Sequence, residues 1–220
     1  MVSNCSCKRA HHPEQRLAKR ADILAAAAKV LEATPYRDLR MDTVARAAGV
    51  AKGTLYLYFP TKESLFLAVL HAAYADAFSA LDRVLKQLAP GANAQQVAQA
   101  FSRVLTARPV LRDLIGLMQG ALEHNIDPGQ ARDFKLFLRD AVMATGELLE
   151  TCLPGLPPGL GAQLVFEAHV LIVGWQHAAH PATVIHTLHQ TPELAMFQAD
   201  FGERFTQSFA ALIRGYPHTS

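Results

Sequence analysis

The chain has 220 residues, of which half are apolar, 18% charged and 8% aromatic. This balance excludes wholesale disorder and supplies enough apolar side chains for a core without disulfide or metal staples. Net charge is only +2, but residues 1–62 hold 11 Lys and Arg against 5 Asp and Glu, while residues 63–220 hold 10 against 14. A basic head on an acidic body is the distribution expected when the head alone meets a polyanion.

The first residues, MVSNCSCKRAHHPEQ, lack the apolar core of a secretory signal, and no run of about 18 or more apolar residues is found, so no membrane partner is expected. Cys5, Cys7 and Cys152 are too few and too scattered for a disulfide framework, which points to a reducing cytoplasm.

The pattern along the chain predicts an all-α protein. Residues 1–14 are polar, carry Pro13 and show no period, as expected of a flexible arm. A first helix is expected over 14–34, with Ile23, Leu24, Ala27, Val30 and Leu31 at three- and four-residue steps and Pro35 as its stop. A short helix over 41–48, capped by Asp42 or a neighbour, should end at Gly49, which tolerates left-handed geometry. A third is expected over 52–59, ending at Pro60. Thr61 then caps a long helix over 62–88, with Glu63 and Ser64 suited to its first turn. Further helices are expected at 94–107, 110–123, 129–152, 159–179 and 192–214, separated by Pro109, Asp127-Pro128-Gly129, the Pro- and Gly-rich loop at 154–159, and the segment from Pro181 to Pro192. These elements divide into an arm (1–14), a three-helix head (15–61) and a body (62–220).

The informative segment is MDTVARAAGVAKGTLYLYFPTKESL, residues 41–65. Val44, Ala45 and Ala48 line one side of the first short helix, Val50 sits in the turn, and Leu55 and Tyr58 line the inner side of the second. Small Ala45 permits a close crossing and Gly49 a sharp turn, the spacing of a helix-turn-helix. The outward face of the second helix then carries Lys52, Gly53, Thr54, Leu57 and part of Tyr56. Gly53 lets a phosphate or base edge approach, Thr54 can donate to phosphate or touch a thymine methyl, and Lys52 can reach a guanine edge or a phosphate. Lys62 and the free amides of the next helix start form an anion site. Packing is the alternative role of the Tyr-x-Tyr-Phe cluster, with Phe59 in the core and Tyr58 keeping only its hydroxyl at the surface.

This run resembles the N-terminal domain of the TetR (tetracycline-repressor-like) family of bacterial regulators. Thr43, Val44, Ala45, Ala48, Gly49, Val50, Lys52, Gly53, Tyr56, Tyr58, Phe59, Lys62, Glu63 and Leu65 carry the resemblance, which covers residues 16–70. Ala51 departs from it, since the family more often places Ser or Thr there as a helix cap. The resemblance implies that the helix opening at Lys52 lies in the major groove of double-stranded operator DNA. It places Thr43, Lys52, Gly53, Thr54, Leu55 and Tyr56 near bases or phosphates, with Tyr58 and Lys62 holding phosphates. Lys8, Arg9, Arg16, Lys19 and Arg20 offer further phosphate contacts or minor-groove entry.

For the body, the resemblance implies ligand sensing and dimerisation. The helix at 159–179 is apolar nearly all round, with Leu164, Val165, Phe166, Val170, Ile172 and Trp175. The last helix adds a stripe of Leu194, Phe197, Phe201, Phe205, Phe209 and Leu212. Pairing these two helices about a two-fold axis would bury the excess and match palindromic half-sites. A pocket for a small hydrophobic or aromatic effector is expected between the long fourth helix and the helices at 94–152, lined by Phe78, Phe101, Leu114, Met118, Leu122, Phe137, Val142 and Trp175. His124, Asn125, His169 and Gln176 are candidates to orient that ligand.

No phosphate loop, nucleophile elbow or HExxH run occurs, so neither a catalytic residue nor a cofactor is assigned. The His169, His177 and His180 spacing and the Cys5-x-Cys7 pair with His11 and His12 lack the partners of a metal site. The resulting expectation is a homodimeric, ligand-responsive regulator, most often a repressor in such families, acting in the bacterial cytoplasm on nucleoid DNA. The rival is a helical small-molecule-binding protein or enzyme whose N-terminal helices only pack.

Overall fold

A computed structural model of the chain describes residues 13–88, 90–121 and 126–216. The described residues form ten α-helices and no strand. They fall into two compact units, residues 1–69 and 70–220.

The first unit contains α1 (Pro13–Ala33), α2 (Met41–Ala47), α3 (Lys52–Tyr58) and the opening turns of α4 (Lys62–Gln87). Ile23 and Ala27 of α1, Val44 and Ala45 of α2, Leu55 of α3, and Phe59, Leu65 and Phe66 are the heart of its core. Tyr36, in the 3-10 turn Tyr36–Asp38, sets its ring edge-on to Phe66 at 4.4 Å. Arg16 and Arg20 are on α1, within the helix expected over 14–34, with their guanidinium groups over the rings of Tyr58 and Phe59 at 6.0 and 5.2 Å. Lys8, Arg9, Cys5, Cys7, His11 and His12 lie outside the described residues.

Side-chain caps explain four of the ten helix starts. At α4, the Ser64 amide donates to Thr61 Oγ1 at 3.0 Å while the Thr61 amide donates back to Ser64 Oγ at 3.2 Å, as the Thr61 cap requires. At α2 the cap position is Arg40, which provides no side-chain acceptor, so the expected Asp42 cap is not formed.

The second unit continues α4 and adds α5 (Ala94–Thr106), α6 (Pro109–Ala121), α7 (Pro128–Cys152), α8 (Leu160–Ala179), α9 (Thr183–His189) and α10 (Phe201–Gly215). Asn93 caps α5 through a reciprocal pair with Gln96, and Asp127 caps α7 ahead of Pro128. α7 packs on α8, while α10 packs on both α5 and α8.

Two expectations are corrected here, and a third observation bears on the membrane reading. The helix predicted over 192–214 is two elements: a 3-10 turn, Pro192–Phe197, and α10. Gln198 is extended, and Asp200 starts a new helix by accepting the Glu203 amide at 2.7 Å. Phe197 therefore leaves the stripe and stacks on His189 at 5.6 Å. The segment between Pro181 and Pro192, predicted as a break, contains α9, a two-turn helix too short to show a period. Finally, α4 is long and apolar enough to span a bilayer by composition, with a mean hydropathy of 1.5 over 18 residues, though half of that stretch is buried inside the fold as in a core helix.

Candidate nucleic-acid interface and body cavity

α2 and α3 are joined by a turn that the sequence dictates residue by residue. Gly49 adopts φ +62°, where a Cβ would be strained, and the Val50 amide returns to the Ala45 carbonyl at 3.0 Å. Ala51 occupies the cap position of α3 and makes no side-chain cap bond, as its departure from the family pattern implies. Leu55 then plugs α3 into the core with no exposed surface. This corrects the expectation that its side chain contributes to a DNA contact, because a fully buried side chain has no face left for a base.

The other side of α3 is open. Lys52, Gly53, Tyr56 and Leu57 are exposed, and Leu57 keeps 78% of its surface. Thr43 and Thr54 are half-buried. A Cβ built on Gly53 meets nothing within 4 Å, so the fold itself does not need glycine there. An exposed leucine beside a basic residue on a short, firmly anchored helix is unexplained by packing within the head.

The charges around α3 form a groove lined by Arg40, Asp42, Ala45, Arg46, Val50 and Lys52. The Lys52 ammonium is 2.8 Å from Asp42 Oδ1. That close ion pair raises the Lys52 pKa and holds the Asp42 carboxyl below the usual carboxylate range. Three cations thus surround one carboxylate, leaving the groove electropositive. Arg40 and Arg46 were not singled out from sequence, since their meeting with Lys52 depends on the fold. Lys62 lies 4.3 Å above the Tyr36 ring and donates to the Arg37 carbonyl at 3.3 Å. Its ammonium is therefore tied into the head, with two of its three N–H groups left for an anion. Tyr36 is pushed up to about 12 by burial and by the neighbouring Glu63. Tyr58 is half-buried, as its packing role predicts.

In the second unit, a cavity of about 60 Å³ lies between α4, α5, α6 and α8. Its lining includes the predicted Phe78 and Phe101, together with Tyr74, Ile115, Val165 and His169. The remaining predicted lining residues are elsewhere. Leu114 is buried in the core away from the cavity wall. Phe137 tilts against His71 with ring centroids 4.0 Å apart, and Val142 is half-buried on α7. Trp175 faces α10, donating to Ser208 Oγ at 3.1 Å. The Met118 side chain, Leu122, His124 and Asn125 lie outside the described residues. Among the orienting candidates, His169 lines the cavity, whereas Gln176 donates to Asp113 Oδ1 at 2.6 Å. The missed wall of α4 was legible in principle: Tyr74, Ala77, Phe78 and Leu81 follow three-, one- and three-residue steps along one helix face.

The phenylalanine stripe of α10 also needs correction. Phe201, Phe205 and Phe209 are buried within the chain, with Phe209 4.8 Å from Phe101 of α5. These three rings are covered within their own subunit. Exposed apolar side chains of the body are instead on α8, where Phe166 and Val170 keep 61% and 56% of their surface, and on α9 and the 3-10 turn after it, with Val184, Ile185, Leu188, Met196 and Phe197.

A helix-turn-helix head with an open, basic recognition face and an all-α body enclosing an apolar cavity defines a class, the two-part helical regulators of transcription. Residues 23–69 match the family model for bacterial regulatory proteins of the tetR family, and residues 71–219 match that for the tetracyclin repressor-like C-terminal domain. The chain belongs to the TetR family.

Among curated relatives, it is 41% identical over 59 residues to the HTH-type transcriptional regulator EthR of Mycobacterium tuberculosis, covering 27% of each chain. It is 31% identical over 70 residues to EthR of Mycolicibacterium smegmatis, covering 32% of each. The chain thus spans about a third or less of the length of these relatives. A TetR-family regulator from Mesorhizobium loti shares the fold at TM-score 0.61 and 18% identity, over 91% of this chain and 98% of that one. The regulator FadR of Bacillus subtilis, solved with stearoyl-CoA, does so at TM-score 0.53 and 16% identity, over 90% and 99%.

Proposed function

We propose that this chain is a homodimeric transcriptional regulator that represses from a palindromic operator and is released by a small hydrophobic effector. The observation that carries the reading is the outer face of α3, with Lys52, Gly53, Tyr56 and Leu57 exposed beside Arg40 and Arg46 while Leu55 anchors the helix from behind. Such a face suits a major groove: cations meet phosphates, the bare Gly53 admits the backbone, and Tyr56 and Thr54 reach base edges. Thr43, Tyr58 and Lys62 fill supporting phosphate contacts. The protein works in the cytoplasm, on nucleoid DNA.

The dimer forms through α8, whose exposed Phe166 and Val170 make a self-complementary apolar strip across a two-fold axis. The effector enters the cavity bounded by α4, α5, α6 and α8. That cavity is far smaller than the ~300–1,000 Å³ of ordinary ligand clefts, so a ligand must part the helices that enclose it. α4 contributes its first turns to the head and the rest to the cavity wall, which makes it the element a ligand displaces. Paired recognition helices must lie about 34–36 Å apart to engage successive grooves. A ligand that favours another spacing releases the operator in proportion to its differential affinity.

The test is binding to the DNA upstream of the protein's own gene across a salt series. A regulator prefers that sequence over a scrambled duplex and loses affinity steeply as salt rises. Equal binding to both duplexes refutes the operator reading and leaves only sequence-independent phosphate contact, while binding to neither leaves a helical ligand-binding protein whose head only packs.

A further inference from the structure

Thirteen described residues line the body cavity, and eleven of them present only hydrocarbon. The exceptions are Tyr74 of α4 and His169 of α8, which meet each other: Tyr74 Oη is 3.1 Å from His169 Nδ1. Neighbouring rings hold the pair in place. Tyr74 stacks on Phe78 at 6.0 Å and tilts against Phe134 at 6.0 Å, while His169 stacks on Phe166 at 6.5 Å.

We propose that the cavity selects an uncharged, largely hydrocarbon ligand bearing a single hydroxyl or carbonyl group, and that Tyr74 and His169 are the pair that recognises that group. The proposal rests on the reading of this cavity as the effector site and adds the chemical class of the effector. Tyr74 and His169 use one donor and one acceptor on each other. If the phenol donates to Nδ1, the imidazole still has an Nε2–H donor and the phenol oxygen a lone pair. If Nδ1–H donates to the phenol, the hydroxyl hydrogen and the Nε2 lone pair are free. Either tautomer therefore serves a neutral group that donates, accepts or does both.

An anion is disfavoured by the same wall. No charged side chain is among the described lining residues. Arg108, at the start of α6, is already 2.7 Å from Asp76 and bonded to the Val104 carbonyl at 3.0 Å. Burial, with a smaller push from the exposed Lys135 of α7, lowers the His169 pKa, and burial raises that of Tyr74, so both groups are neutral at pH 7. A carboxylate entering here would leave water without gaining a fixed cation, which is costly.

The experiment uses the full chain and four probes of similar size at pH 7.5: phenol, cyclohexanone, toluene and benzoate. Dissociation constants come from the ligand dependence of the thermal midpoint. Phenol and cyclohexanone are expected to bind, with benzoate at least about tenfold weaker than phenol. Tyr74→Phe and His169→Phe should each weaken phenol by about three- to tenfold while leaving toluene within about twofold, since only the hydrogen bond is lost. Benzoate binding as tightly as phenol, and lost when Ala168→Val fills the cavity, overturns the ligand class but keeps the cavity as the effector site. Phenol binding undiminished in both ring variants overturns the role of the pair. Failure of all four probes to bind overturns this inference together with the cavity reading. The benzoate-to-phenol ratio in the unaltered chain decides the ligand class even if a variant does not fold.

Discussion

The crossing of α7 and α8 is the least forgiving contact in the body, and Gly161→Ala tests it. A Cβ on Gly161 would fall on the Gly146 carbonyl oxygen, 2.7 Å from its carbon and 3.0 Å from Glu150 Cγ. A Cβ on Gly146 would in turn lie 2.7 Å from Ala162 Cα and 2.8 Å from the Gly161 carbonyl carbon. The obstacles are backbone, so relief requires the helices to part. Parting them also disturbs Glu150, whose Oε1 accepts the Gly159 and Gly161 amides at 2.7 and 3.0 Å and so satisfies the free N–H groups at the start of α8. Overpacking costs about 1–3 kcal/mol, and weakening charge-assisted bonds adds about 1.5–3 kcal/mol. Against this, alanine gains up to about 1 kcal/mol over glycine inside a helix. The net loss is about 1.5–5 kcal/mol, or roughly 3–20 °C in thermal midpoint for a chain of this size. Gly116→Ala is the control, because its Cβ meets nothing within 4 Å on α6 and only the helix gain remains. Urea denaturation followed by circular dichroism should show Gly161→Ala destabilised and Gly116→Ala stabilised by about 0.5–1 kcal/mol. If both variants move in the same direction, the tight crossing is refuted.

Other substitutions separate packing from recognition in the head and body. Lys52→Ala should weaken binding to every duplex and lower the salt slope by about 1, as read by fluorescence anisotropy; an unchanged slope removes Lys52 from the phosphate contacts. Leu55→Ala should instead destabilise the fold by about 2–5 kcal/mol in denaturant titrations, through the cavity it leaves in the head core. Phe166→Glu should convert the dimer to monomer in sedimentation velocity with its helical content retained, whereas Phe205→Glu should lose thermal stability because a carboxylate replaces a fully buried ring. Retained dimer in Phe166→Glu would show that the subunits meet elsewhere.

How far the sequence could be read depended on whether a feature was local. The helix-turn-helix was legible because its determinants are a few residues apart: Gly49 for the turn, Ala45 for the close crossing, Leu55 for the anchor and Thr61 with Ser64 for the next cap. The error at Leu55 arose where two signals disagreed, since periodicity placed it inside while the family pattern placed it near DNA. Burial follows periodicity, because α3 has only seven residues and needs that side chain to fix it to α2. Features that arise from pairing were not legible. A phenylalanine stripe on α10 shows that the helix must be covered but not by what, and α5 of the same chain covers it through Phe101. The helix whose pattern looked least directional, α8, divides into inner residues Leu164, Ala168 and Ile172, which are largely buried, and outer residues Phe166 and Val170, which are exposed. The cavity follows the same logic. Tyr74 and His169 are 95 residues apart in sequence and become a recognition pair only because α4 and α8 face each other across an apolar gap. Specificity in this body thus depends on a long-range contact, while the head that reports it is encoded almost entirely within residues 41–65.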